Sequence, residues 1–117
     1  MSSFPLSISV ITRNEAVNLE RCLASVAGLA AEIVVMDSGS TDATAEIAAR
    51  HGVRWLHQDW LGYRDQKQAA LEQCTQPWVL ALDADEEVSP AMRQDILTFF
   101  EHHAARHDGA SFPRKVW

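Results

Sequence analysis

The sequence predicts an α/β domain: a three-layer α/β/α arrangement around a mostly parallel sheet. Apolar, strand-like runs begin near residues 6, 32, 53, 78 and 110, and helical patterns fill the intervals, which is the alternation of a doubly wound sheet. The run Ile33-Val34-Val35-Met36 is almost continuously apolar, as expected of a strand covered by helices on both faces. At 117 residues, the chain fits a single domain spanning residues 1–117.

Each element follows from its residues. Leu6 to Thr12 reads as the first strand, with Pro5 at its start. Asn14 is the expected cap of the next helix, in which Leu19, Cys22, Leu23 and Val26 recur at helical steps until Gly28. Glu32 to Asp37 is the second strand. Ser40 or Thr41 is the expected cap of a short Ala-rich helix that runs to about His51 and stops at Gly52. Val53 to His57 is the third strand, and Gln58 to Tyr63 reads as a loop carrying exposed aromatic side chains. Arg64 to Thr75 is helical, and Pro77 opens a fourth strand at Trp78 to Leu82. Ser89-Pro90 combines an N-cap with a first-turn proline, followed by the stripe Met92, Ile96, Phe99, Phe100 and His103. Ala110 to Trp117 is the expected start of a further strand.

Composition narrows the function. The formal charge of −6 opposes binding to nucleic acid. No apolar run approaches the ~20 residues of a membrane span, and the N-terminal residues lack the pattern of a secretory signal, so a cytoplasmic location is expected. Cys22 and Cys74 lack CxxC spacing and sit in apolar helical patterns, which suits reduced core thiols.

Two apolar strands end in carboxylates. In an open parallel sheet ligands bind beyond the carboxyl ends of the strands, so Asp37 and Asp83 point to one rim. Asp83 and Asp85 are two residues apart; if strand geometry persists, their side chains share a face and suit a hard divalent ion such as Mg²⁺ or Mn²⁺ held together with substrate phosphates. The competing structural reading is that Asp85, Glu86 and Glu87 supply charge ahead of the helix starting at Pro90, which leaves Asp83 unexplained. Asp37 accepts hydrogen bonds only, and suits a ligand N–H or hydroxyl; Gly39, Ser40 and Thr41 are explained by the turn they form. Thr12, Arg13, Asn14 and Glu15 offer mixed donors and acceptors at the same rim, and Arg64 and Lys67 begin a helix whose N-terminus faces it. His102, His103 and His107 fall in the last turns of a helix, where the dipole alone accounts for them, and Ser40 lacks the context of a hydrolase nucleophile.

Taken together, Ser9-Val10-Ile11-Thr12-Arg13-Asn14-Glu15, Val34-Val35-Met36-Asp37-Ser38-Gly39-Ser40-Thr41-Asp42 and Leu82-Asp83-Ala84-Asp85-Glu86 resemble the family 2 inverting glycosyltransferases in order and spacing. The Asp-Ser-Gly-Ser-Thr-Asp form and Gln66-Lys67 before Ala69-Ala70-Leu71 are similar to members that add glucose or a related sugar to the lipopolysaccharide core. The resemblance implies a GT-A fold, a UDP-sugar donor and a Mg or Mn cofactor. By position it implies that Thr12, Asn14 and Glu15 line the nucleotide pocket, and that Asp37 contacts the uracil or ribose. Asp83-Ala84-Asp85 matches the DxD motif, with Asp83 toward the ribose and the metal and Asp85 on the metal, while Lys67 lies near the nucleotide.

The resemblance further implies a glycan or lipid-linked glycan acceptor, peripheral contact with the inner membrane, and a catalytic base in a C-terminal half beyond Trp117. The expected chain is therefore the N-terminal, donor-binding half of a longer enzyme, inactive alone. Two other readings are a non-catalytic nucleotide-binding or assembly module and a haloacid-dehalogenase-type phosphatase. The phosphatase reading is disfavoured because Glu87 occupies the position of that family's Thr or Val.

Overall fold

A computed structural model describes residues 4–102 and 115–116. The element order is β1 (Phe4–Thr12), α1 (Ala16–Ser25), β2 (Ala30–Asp37), α2 (Thr44–Arg50), β3 (Arg54–His57), α3 (Tyr63–Glu72), β4 (Trp78–Asp83), α4 (Pro90–His102) and β5 (Lys115–Val116). The strands form one sheet in the order β3-β2-β1-β4-β5, and every neighbouring pair is parallel. The expected α/β/α layering is present. His103, His107 and most of the run from Ala110 to Trp117 lie outside the described residues; the part of that run that is described, Lys115–Val116, pairs with Trp78 and Val79.

Alternation along β1 explains the layers. Leu6, Ile8 and Val10 are fully buried against Leu19, Cys22 and Leu23 of α1, Ile47 and Ala48 of α2, and Ile96 and Phe100 of α4. Ile11 faces the other way and packs with Met36 of β2 and Ala70 of α3. Val34, Val79 and Cys74 extend that second core. The chain steps from β1 to β3 in one direction and then returns to β4, and right-handed crossovers accordingly place α3 on the opposite face from α1 and α2.

Pro5 lies inside β1 rather than before it. It has no N–H to give to the ladder, and the β1–β2 register slips between Phe4 and Ser7, the interval that contains it. Ser89 caps α4 as expected, its Oγ accepting from Met92 N at 3.0 Å.

The other two expected caps are corrected. Asn14 does not cap α1: its backbone is left-handed (φ 51°), and its Oδ1 accepts Thr41 N–H at 2.7 Å. The first turn of α1 is instead served from α2's entry loop, with Thr44 Oγ1 accepting Glu15 N–H and Asp42 Oδ2 accepting Ala16 N–H. Neither Ser40 nor Thr41 caps α2. Asp42 serves that end, accepting from the N–H and hydroxyl of Thr44. These hydrogen bonds hold its carboxyl below the usual carboxylate range, the Thr44 hydroxyl contributing most. The two loops thus hold each other in place at the carboxyl ends of β1 and β2.

Candidate functional site

The strand order reverses between β1 and β4, and open α/β sheets bind ligands at such a point. A cleft of about 310 Å³ lies there, within the usual range for ligand pockets. Ile11, Thr12, Arg13 and Glu15 form its floor at the end of β1, with Ser38 from the end of β2. Asp83, Ala84 and Asp85 form the wall beyond β4. Trp60, Tyr63 and Gln66, from the loop after β3 and the start of α3, form the wall opposite.

Among the described residues, the buried side-chain polar atoms without a hydrogen-bond partner are Thr12 Oγ1 and Asp83 Oδ1. Both residues line this cleft. Buried polar atoms are nearly always satisfied, so two orphans on one cavity mark where a polar ligand supplies the missing partners. Asp83 Oδ1 does have a charge partner, Lys67 Nζ at 3.2 Å, but the contact lacks hydrogen-bond alignment. Lys67, although exposed on α3 and not on the cleft wall, therefore reaches the site. Arg64 does not: its nearest carboxylate is the adjacent Asp65, at 3.8 Å.

The acidic wall is a turn rather than an extension of the strand. β4 ends at Asp83, Glu86 N–H donates to Asp83 C=O at 2.9 Å, and Asp83 N–H donates to Glu86 Oε1 at 2.7 Å. Asp83 and Asp85 consequently do not share a face by strand alternation; they are brought to one cleft by the turn, with Ala84 buried between them. Glu86 is the staple of that turn, a role that its sequence position ahead of α4 concealed. Asp85 is exposed and makes no hydrogen bond or ion pair with any described residue.

The field of this wall registers on its neighbour. The Cys22 thiol, 4.0 Å from Asp83 C=O, is pushed up to about 12, first by burial and then by the charges of Glu86, Asp85, Asp83 and Glu87. A cation is the natural complement of such a surface. No group of three or more His, Cys, Asp or Glu residues among those described forms a ready-made metal cage. The donor set fits a Mg²⁺- or Mn²⁺-type ion that takes one or two carboxylates and completes its shell with phosphate oxygens and water.

Asp37 lies farther from the wall than the shared rim suggested. It pairs with Thr12 across β1, and Ile11 pairs with Asp83 on the other side, so the two acidic strand ends are two strand spacings, about 10 Å, apart. Asp37 is 4% exposed, and Ser38 rather than Asp37 lines the cleft. Its Oδ2 accepts Gly39 N–H at 2.9 Å and Ser40 N–H at 2.8 Å, and its Oδ1 accepts the Ser40 hydroxyl. A carboxylate has about four lone-pair sites, so one on Oδ1 remains for a ligand. Asn14, likewise off the cleft wall, holds the two rim loops together: its N–H donates to Ser40 Oγ and its Oδ1 accepts from Thr41. Glu15 lines the cleft, with Oε1 taking Asn18 Nδ2 at 3.0 Å.

Residues 7–115 match the description of glycosyl transferase family 2. The chain belongs to that family. It is 44% identical over 95 residues to the lipopolysaccharide core biosynthesis glycosyltransferase LpsC of Rhizobium meliloti (strain 1021), covering 77% of this chain and 35% of that relative. An uncharacterized glycosyltransferase of Rickettsia felis is 40% identical over 98 residues, covering 84% of this chain and 35% of the relative. The chain thus spans about a third of the length of the curated relatives it matches.

Among solved structures, mannosyl-3-phosphoglycerate synthase from Rubrobacter xylanophilus superposes with a TM-score of 0.68 at 26% identity, over 86% of this chain and 38% of that one. Glucosyl-3-phosphoglycerate synthase from Mycobacterium tuberculosis, in complex with Mn²⁺ and uridine-diphosphate-glucose, gives a TM-score of 0.60 at 26% identity, over 70% of this chain and 33% of that one. The fold is the GT-A type of these glycosyltransferases, and family membership displaces the phosphatase alternative. No helix among the described residues is long and apolar enough to cross a membrane.

Proposed function

We propose that residues 1–117 are a single donor-binding domain of a family 2 glycosyltransferase that takes a UDP-sugar and a divalent cation and serves transfer, with inversion, to a glycan or lipopolysaccharide core acceptor. The observation that carries this reading is the pair of orphaned buried atoms, Thr12 Oγ1 and Asp83 Oδ1, on the cleft at the β1–β4 switch point. The bound Mn²⁺ and uridine-diphosphate-glucose of the mycobacterial relative support the choice of ligand, and the name of the Rhizobium relative supports the acceptor class.

The residues divide the work by position. Asp85, exposed and unpaired among the described residues, is the metal ligand, and Asp83 joins it or takes a ribose hydroxyl. Lys67, 3.2 Å from Asp83, meets the diphosphate. Thr12 and Glu15 contact the nucleoside, Asp37 offers its remaining lone pair to a base N–H, and Asn14 holds the loops that shape that end. When bound, the ion neutralises the charge that develops on the departing diphosphate.

Inversion requires a separate carboxylate to take the acceptor's proton. We assign that base and the acceptor site to the portion of the relatives' length that residues 1–117 do not cover, and propose that these residues alone bind donor without efficient turnover. We further propose a cytoplasmic location, with peripheral contact at the inner membrane for a lipid-linked acceptor.

A thermal-denaturation series with UDP and UDP-sugars, with and without Mn²⁺, tests the reading on the wild type and Asp85→Ala. A ligand at 100 times its Kd stabilises by ~2.7 kcal/mol, and the shift should require Mn²⁺ and disappear in Asp85→Ala. A folded wild type that shows no metal-dependent shift with any nucleotide would refute the donor site.

A further inference from the structure

Four large apolar side chains are exposed among the described residues, and three of them, Trp60, Leu61 and Tyr63, fall within one short stretch after β3. Trp60 is 49% and Tyr63 70% exposed, and both line the cleft. Their rings stand perpendicular with centroids 4.9 Å apart, forming a corner. A corner of this kind leaves ring faces available for a flat partner.

The corner is built deliberately from below. Gln66 is fully buried, a rare state for glutamine. Its Nε2 donates to Gln58 C=O at 3.1 Å, and its Oε1 accepts Leu61 N–H at 3.2 Å. One side chain thus fastens both ends of the segment that carries Trp60, and α3's first turn, which carries Tyr63, is anchored by Gln66 N–H on Gly62 C=O at 2.8 Å. Nothing in the packing of the two cores requires this, because neither contains Trp60 or Tyr63.

The sheet order says which part of a ligand meets the corner. The metal-binding wall is beyond β4, whereas β3 is at the opposite edge of the sheet, with β1 and β2 between. A nucleotide whose diphosphate is held at Asp85 runs across the ends of β1 and β2, and its far end is the base. The free lone pair of Asp37, at the end of β2, lies along the same path.

We propose that Trp60 and Tyr63 are a stacking wall for the planar base of the nucleotide, and that Gln66 is the positioning residue that holds this wall. The inference rests on the donor-site reading and goes beyond it, since it assigns base recognition to a loop outside the three motifs. Base–aromatic stacking in nucleic-acid complexes sets the scale, and truncating one such ring corresponds to about a tenfold loss of affinity.

The test titrates uridine, UDP, UDP-glucose and inorganic pyrophosphate, the last three with Mn²⁺, into the wild type, Trp60→Ala, Tyr63→Ala and Gln66→Met, by calorimetry. Uridine, UDP and UDP-glucose should each weaken by about tenfold in Trp60→Ala and by about threefold in Tyr63→Ala, with pyrophosphate unchanged. Gln66→Met should reproduce the pattern of Trp60→Ala and should also remove any quenching of tryptophan fluorescence that uridine produces in the wild type. UDP binding that is equal in Trp60→Ala and wild type overturns the wall and leaves the donor site standing. Loss confined to UDP-glucose makes the corner a sugar contact, and also overturns it. A wild type that binds neither UDP nor pyrophosphate with Mn²⁺ overturns the wall and the donor site together.

Discussion

Replacing Glu32 should unfold the domain more readily without touching the cleft. Glu32 stands near the start of β2, at the opposite end of the strands from the site. Its Oε2 accepts three donors, Ser7 Oγ at 2.6 Å, Thr75 N–H at 2.7 Å and Thr75 Oγ1 at 2.9 Å, and its Oε1 takes Arg54 Nη1 at 2.9 Å. One carboxylate therefore ties β1, β2, β3 and the turn before β4. Burial pushes its pKa up, but the hydrogen bonds from Ser7, Thr75 and Arg54 together outweigh this and hold the carboxyl below its ordinary value.

Hydrogen bonds to a charged group contribute about 1.5–3 kcal/mol each, and the burial cost together with Arg54's exposure keeps them from adding. Glu32→Ala, which strands the buried Ser7 hydroxyl and leaves the exposed Thr75 N–H to water, should cost about 3 kcal/mol, or about 10 °C in Tm. Glu32→Gln keeps one acceptor and should cost about half as much. The sign with pH is fixed: a carboxyl depressed in the folded state stabilises above its unfolded value of about 4.5, and that stabilisation is lost as pH falls through the folded value. Urea denaturation of wild type and Glu32→Gln at pH 7 and at pH 3 measures this, and the gap between them should narrow in acid. A gap unchanged between the two pH values, or a Glu32→Ala cost below about 0.5 kcal/mol, would refute this account. UDP affinity of the folded Glu32→Ala protein should equal the wild type's.

Asn14→Ala should cost about 2 kcal/mol in urea denaturation, from the lost bond to Thr41 and from alanine in a left-handed backbone; Asn14→Gly, which relieves the second, should cost about half of that. Lys67→Met should change stability by less than about 1 kcal/mol, because the pair with Asp83 is half exposed, yet it should weaken pyrophosphate binding measured calorimetrically. Cys22 and Cys74 should resist alkylation at pH 8 until denaturant is added, since both are buried and the Cys22 thiol is pushed up to about 12. Rapid labelling of the native protein at two thiols would contradict their burial.

The strands were legible because their signal is a run of apolar residues bounded by turn residues, and each expected strand lies within two residues of the observed one where it is described. The caps were legible only where partner and acceptor are neighbours in the chain, as at Ser89. Asn14, Ser40 and Thr41 have the composition of caps, but Asn14 bonds to Ser40 and Thr41 across 26 and 27 residues, and a local rule cannot see a bond between two loops. Gln66 was missed for a related reason: in sequence it is one more polar residue on an exposed-looking helix, and only the fold places its amide under the loop it fastens. Helix periodicity did carry a trace, since Gln66 and Ala70 are four apart and both are buried.

The two acidic strand ends began as equivalents, and the register separates them. Asp37 spends three of its four acceptor positions on its own loop, so its first task is to shape the turn, and any ligand bond it makes is a single, directional one. Asp83 keeps a buried oxygen unaligned with any donor, and Asp85 keeps its whole carboxylate free of described partners, in a turn that gathers Asp83, Asp85, Glu86 and Glu87 beside the one described ion pair from Lys67 to Asp83. Such a turn is the less stable for that repulsion, and it is relieved when a divalent ion arrives. Stability and binding should therefore be linked at this wall. Neutralising Asp85 should raise the melting temperature of the ligand-free protein while abolishing the shift produced by Mn²⁺ and UDP, an opposition of sign that a purely structural role for the acidic turn would not produce.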